Sequence, residues 1–457
     1  MNQNSQTRID FPNLEKRTVA TVASLYGLRM LGLFMVLPVM ALYFGDYRGA
    51  TSFLLGVSLG IYGFTQAIFQ IPLGLLSDRV GRRAVIIAGL VLFVLGSVVA
   101  GLADSAMELI IGRALQGTGA IASTLMALIT DFTSEQNRTK AMAAVGGTIG
   151  ISFALAMVIG PAIAATTGLS GIFWLTAVFG LLGIVIVLVA VPRAVPMRQN
   201  RETLTDLSAM GKLFKDPVLQ RLNLGIFCLH LVLMAAFVAV PGILAWELAI
   251  PEGDLWWVYI ALLGGGFVIM LPAVIVGEKY ARQKQCFVAA IALMALSMLV
   301  LGLYRSDWVT PLMLLMFFSG FNLLEASLPS WLSKVCPAGN RGTAMGIYST
   351  SQFMGAFVGG VIGGWAVDGI GVGGLFFILA IILLIWLFFA LGMQSPRPLQ
   401  TLVLQVGDRD PREVVKIIST ITGVEDILLI EGEELAYLKV DKQTVDLDRL
   451  KPFLNNT

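Results

Sequence analysis

Fifty-two consecutive residues, 141–192, carry no charged side chain. The core of a bilayer is crossed by about 20 mostly apolar residues in a helix. In hydrocarbon each backbone polar group must be satisfied inside the segment itself. The run is therefore long enough for two crossings, with a turn expected near Gly168-Leu169-Ser170-Gly171. Charge-free runs recur at 49–77, 84–103, 255–277, 342–367 and 369–396. Charged residues make up 13% of the chain, against about 25% in soluble domains. With 57% hydrophobic residues and a mean hydropathy of +0.83, the chain is neither a soluble enzyme nor disordered nor collagen-like. It reads as an all-α polytopic membrane protein. One His and three scattered Cys, at 228, 286 and 336, are poor material for a metal site or a disulfide framework. Arg8, Lys16 and Arg17 precede an apolar segment too long for a cleavable signal, so that segment is expected to remain as the first span.

Twelve spans are expected, near 19–44, 53–77, 84–103, 106–130, 140–166, 170–191, 219–248, 255–276, 285–304, 308–332, 342–368 and 372–394. With both termini in the cytoplasm, 19 Lys and Arg fall in the cytoplasmic loops, and only Arg48 and Arg305 on the other side. That bias orients the chain. The sequence also repeats at an offset of 203. "NRTKAMA" (137–143) returns as "NRGTAMG" (340–346) and "VIGP" (158–161) as "VIGG" (361–364). Phe34, Pro38, Gly74, Arg79 and Gly117 return as Phe237, Pro241, Gly277, Arg282 and Gly320. Two pseudo-symmetric six-helix halves, 1–191 and 219–394, are joined by a cytoplasmic linker, 192–218. Such halves bind substrate between them near the midplane and alternate access by rocking. Residues 399–457 change character. Their β-α-β-β-α pattern fits a small α+β ferredoxin-like cytoplasmic domain. From 395 onward the charge is about −3, from 8 basic and 11 acidic residues, so the domain is placed against the basic cytoplasmic loops. The stiff connector "SPRP" (395–398) holds it there.

"GLLSDRVGRRAVI" (74–86) is the most specific string. It resembles the signature loop of the major facilitator superfamily, matching at Gly74, Leu76, Asp78, Arg79, Gly81, Arg82 and Arg83. The resemblance implies a conformational latch. Asp78 would cap the start of span eleven near Gly342 and Thr343, and Arg82 and Asp131 would complete a charge network. The second copy has Ala281 where Asp78 would fall, so the latch is expected to be asymmetric. "LIIGRALQGTGA" (109–120) resembles the span-four motif of proton-coupled members at Arg113, Gln116, Gly117 and Gly119. "ALAMVIGPAIAA" (154–165) resembles the span-five motif of drug/proton antiporters at Gly160 and Pro161, with Ala156, Ala164 and Ala165 in place of glycines. Small residues there still permit close helix packing.

Ionisable groups within spans mark cavities or partners. Arg29 (span one), Arg113 (span four), His230 (span seven) and Glu325 (span ten) are the candidates for proton coupling and the substrate cavity. Arg29 and Glu325, of opposite charge in opposite halves, are expected to meet or to face one cavity. Glu247, Glu252 and Asp254 read as a solvated face. By resemblance the chain is a proton-coupled exporter of small, partly apolar compounds in the inner (cytoplasmic) membrane. It is expected to act as a monomer and to use protons and the bilayer, with no nucleic acid, no metal, no cofactor beyond the proton gradient and no catalytic residues. The alternatives are a metabolite transporter for sugars or amino acids, and a non-transporting membrane sensor read out by the tail.

Overall fold

The computed structural model describes residues 11–133, 135–191, 207–337, 341–393, 399–405, 411–429, 435–441 and 444–450. The connector 395–398, the loop 406–410 and linker residues 192–206 lie outside the described residues. The first helices are α1 (Phe11–Phe34), α2 (Met40–Tyr43), α3 (Ser52–Val80), α4 (Arg82–Gly101), α5 (Ala106–Thr118), α6 (Ala122–Phe132) and α7 (Glu135–Ala190). They are followed by α8 (Leu207–Lys215), α9 (Pro217–Gly242), α10 (Leu255–Lys279), α11 (Gln283–Leu303), α12 (Val309–Val335) and α13 (Arg341–Leu391). Eight described stretches are long and apolar enough to cross a bilayer. Two of these, Lys140–Ala190 and Gly342–Leu391, hold 51 and 50 residues. At 1.5 Å per residue that is about 75 Å each, far beyond a core of about 30 Å. Each is broken by a glycine: Gly168 at φ 66, ψ −169, and Gly371 at φ 75, ψ 176. Only glycine takes that conformation without strain, and the two positions differ by the repeat offset of 203 residues.

Helix starts follow local chemistry. Asp216 accepts from the amides of Val218 (2.8 Å) and Leu219 (3.1 Å), with Pro217 in the first helical position of α9. Ser105 and Glu108 form a capping box at the start of α5. The span expected over 106–130 is not one helix. It breaks at 119–121, between α5 and α6, where a methyl group on Gly119 would lie 2.3 Å from the Gly89 carbonyl oxygen. The backbone there presses on α4. The linker 192–218 is likewise not wholly irregular, since it includes α8, whose Leu213 is buried.

Lipid is as apolar as leucine, so helices in a bilayer associate through close packing. Gly160 on α7 shows how. A methyl group there would lie 2.5 Å from the carbonyl oxygen of Met35, just past α1. At the repeat position, a methyl group on Gly363 of α13 would lie 2.9 Å from the Val238 side chain and 3.0 Å from Ala235 Cα of α9. Gly160→Ala is expected to destabilise the protein by about 1–3 kcal/mol through overpacking. This is read as a lower Tm in detergent; an unchanged Tm would show that this crossing yields freely. Phe287 stacks on Trp331 at 4.6 Å and meets Trp386 edge-on at 6.0 Å, filling the space between α11, α12 and α13.

The tail forms β1 (Leu399–Gln405), α14 (Pro411–Ile418), β2 (Val424–Leu429), β3 (Leu435–Asp441) and α15 (Leu447–Leu450). The sheet order is β1-β3-β2, with both pairings antiparallel. Val414, Ile418, Ala436, Leu438, Val440 and Leu450 form its separate core.

Candidate functional site

Two polar clusters lie in the helical body, the first buried and the second half-buried. In the first, Arg113 of α5 donates from Nη1 to Gln116 Oε1 at 3.0 Å and from Nε to the Ser58 carbonyl of α3 at 3.4 Å. Gln116 in turn donates to Ser97 of α4 at 2.8 Å. Arg29 of α1 donates from Nη2 to Gln66 of α3 at 2.8 Å. Both guanidinium groups lie against the Tyr62 ring, at 5.3 Å for Arg113 and 6.0 Å for Arg29. Arg29 is also 5.8 Å from the Phe93 ring. Arg29 and Arg113 are 2% and 1% exposed, and neither forms a salt bridge with a carboxylate among the described residues. Nε and Nη1 of Arg29, Nη2 of Arg113 and Nε2 of Gln66 are buried without a hydrogen-bond partner. The cluster is thus rich in cationic donors, held by neutral acceptors and aromatic faces.

The second cluster brings α9, α12 and α13 together. His230 Nε2 is 2.7 Å from Gln352 Nε2 and 3.8 Å from Glu325 Oε2. His230 Nδ1 and Glu325 Oε2 are both buried without a hydrogen-bond partner. The ring also packs against Phe321, 6.1 Å between centroids. The expected meeting of Arg29 with Glu325 does not occur: each has its own neighbours, Gln66 for the first and His230 for the second. The sequence places opposite charges in the two halves, but helix rotation decides which of them face each other.

At the end of the body where α3 finishes, Arg82 is almost fully buried. It pairs with Asp78, with Ser77 Oγ at 2.6 Å and with Asp131 at 3.1 Å. Gly81, at φ 102, makes the tight turn that brings Arg82 back over α3. Arg83 donates to the Leu188 carbonyl at 2.9 Å, tying this end to α7. Gly74 sits over Ser123 of α6. The carboxylate of Asp78 makes no hydrogen bond to Gly342 or Thr343 here; among the described residues its partner is Arg82.

At the opposite end, where α3 begins, the amides of Ser52 and Phe53 donate to the carboxylate of Asp368 at 3.2 and 2.8 Å. Tyr43 donates to Glu252 at 2.7 Å, and Arg305 to Glu247 at 2.7 Å. Glu247, Glu252 and Asp254 are exposed, as a solvated face requires, and the first two make these surface bonds as well. Sequence reasoning passed over Asp368, Gln66, Gln70 and Gln352. For Asp368 a signal existed, since it is the lone charge between the runs 342–367 and 369–396.

The Major Facilitator Superfamily model matches residues 22–243 and again residues 222–423. The inner membrane transport protein YajR of Escherichia coli (strain K12) is 42% identical over 436 residues, covering 94% of this chain and 96% of its own. The multidrug resistance protein MdtH of Aeromonas salmonicida (strain A449) is 25% identical over 355 residues, covering 73% and 84%. The crystal structure of the human organic anion transporter MFSD10 (TETRAN) shares the fold with a TM-score of 0.60 at 18% identity, over 82% of this chain and 99% of that one. The chain belongs to the Major Facilitator Superfamily.

Proposed function

We propose that this transporter exports small, partly apolar compounds in exchange for protons, by alternating access. Its body would comprise twelve spans in two six-helix halves, 1–191 and 219–394, with both termini in the cytoplasm and the chain acting as a monomer in the inner membrane. The repeat offset supports the two halves, because it recurs in backbone conformation at Gly168 and Gly371 and in close packing at Gly160 and Gly363. The inner-membrane assignment follows YajR, and export is our reading of the multidrug resistance for which MdtH is named. The tail, with its β-α-β-β-α order, is read as a ferredoxin-like module that modulates the body from the cytoplasmic side.

The observation that carries the proton reading is the cluster of His230, Glu325 and Gln352. A carboxylate oxygen without a donor, 3.8 Å from an imidazole nitrogen, is a place where a proton can be taken up and released within a span. Arg29 and Arg113 remain charged throughout and supply the fixed positive potential of the other half. The test starts from purified full-length protein, screened for ligands by thermal shift. Hits are then followed in proteoliposomes with and without an imposed pH gradient. Substrate accumulation that needs the gradient and collapses with a protonophore is expected. Transport indifferent to both would overturn proton coupling.

A further inference from the structure

Asp368 closes the outer end of the transporter, as the counterpart of Asp78 at the inner end. We infer this assignment from the way α3 and α13 cross between the two halves. Where α3 begins, their backbones are in direct contact. A methyl group on Gly56 would lie 2.0 Å from the Gly360 carbonyl oxygen, and one on Gly364 would lie 2.2 Å from that of Ser52. Gly60 and Gly63 press on the backbone of Phe357 and Phe353. Further along, a long side chain reaches across, as Gln70 Nε2 meets Thr350 Oγ1 at 2.7 Å and the Gly346 carbonyl at 3.2 Å. A methyl group on Gly346 would meet nothing within 4 Å. The two helices are closed at the outer end and part toward the inner one.

The first amides of a helix lack intrahelical acceptors. In α3, Thr51 Oγ1 takes the amide of Leu54 at 3.1 Å. The amides of Ser52 and Phe53 go to Asp368, in the other half of the chain. An acid ending the first stretch of α13 thus satisfies the start of α3. The resemblance implies that Asp78, an acid ending α3, would do the same for the start of α13 in the other state. In this structure only the outer cap is made, because Asp78 is turned to Arg82. Rocking about the Gly60–Gln70 crossing separates one cap as it forms the other, so the two acids bias the same equilibrium in opposite directions.

The inference rests on the alternating-access reading, and the test keeps the two apart. Spin labels are placed in the full chain with its three native Cys replaced. One pair sits at exposed outer positions (Asp46→Cys with Trp308→Cys), the other at exposed inner ones (Val80→Cys with Tyr280→Cys). Two distance populations for each pair in the parent protein establish alternating access, whatever Asp368 does; a single population under all conditions refutes it. Asp368→Asn is expected to shift the population ratio about two- to thirtyfold toward outer-open, the range set by loss of a helix cap. The inner pair should shorten in step, and Asp78→Asn should do the reverse. Ser52→Pro is the second variant. Proline suits the first helical position, and Thr51 is already extended at φ −140, ψ 160 as proline requires of its predecessor. It deletes one donor to Asp368 without altering charge, and the same shift is expected. A change confined to the outer pair would make Asp368 a local cap only. No change at either pair, or failure of both variants to fold, would equally overturn the latch.

Discussion

Glu325→Gln is expected to reduce pH-driven exchange to the level of empty vesicles while substrate binding stays measurable. Glutamine keeps the shape of the side chain and one acceptor oxygen but has no proton to release in this range. The neighbours make the substitution clean. Glu325 forms no hydrogen bond through Oε2, and its approach to His230 is 3.8 Å, so no short bond is lost. The nearby contact of Gln352 with His230 at 2.7 Å can persist and hold α13 against α9. What changes is the ability to carry a proton between the two faces. Counterflow of substrate without a gradient should therefore survive, since rocking and binding do not need the titrating group. Binding whose pH profile matches that of the parent protein would remove Glu325 from the proton path. Loss of counterflow as well would mean that the residue shapes the site instead.

The limits of sequence reading are visible at particular residues. Charge-free stretches locate the apolar helices because hydrocarbon tolerates little else. The turn expected near 168–171 falls at Gly168, because only glycine combines a positive φ with a break between two apolar helices. Span interiors are harder to read. Pro38 and Pro241 are related by the repeat, yet α1 stops at Phe34 while α9 continues to Gly242 and then widens into a π-turn over Ile243–Glu247. Proline removes one donor in both places, and the neighbouring helices decide how the freed carbonyl is used. Partner choice is harder still. Arg29, Arg113, His230 and Glu325 are conspicuous because each is ionisable in an apolar span. Their actual partners, Gln66, Gln116 and Gln352, are neutral amides that composition does not single out. Facing is set by rotation about each helix axis, where one residue is about 100°, and boundaries known to several residues cannot fix it. Asp368 illustrates the opposite case: its charge was plain, but its meaning depends on where another helix begins, 316 positions away.

Arg113→Lys should reach the membrane at near-normal levels and fail in gradient-driven transport. Lysine preserves the charge but replaces a planar fork of donors with a single nitrogen. The fork is in use. Nε meets the Ser58 carbonyl at 3.4 Å, Nη1 meets Gln116 at 3.0 Å, and the guanidinium plane lies against Tyr62 at 5.3 Å. Through Gln116 the bond chain continues to Ser97, so one side chain couples α5 to α3 and α4. Burial without a carboxylate partner makes the position expensive, and a residue kept only for packing would be cheaper as an apolar group. Close glycine contacts continue to hold these helices. A methyl group on Gly112 would lie 2.6 Å from Ala100, and one on Gly117 would lie 2.3 Å from the Tyr62 carbonyl oxygen. The lysine variant should therefore fold. Its ammonium cannot serve Ser58 and Gln116 in the same geometry, so the bond chain from Ser58 through Gln116 to Ser97 is broken while the helices stay packed. The measurement is a ratio: accumulation under a pH gradient against counterflow without one, in the same vesicles. A fall in the first with the second retained is expected. Normal accumulation, or a chain that does not fold, would assign Arg113 to structure and leave the coupling to the second cluster.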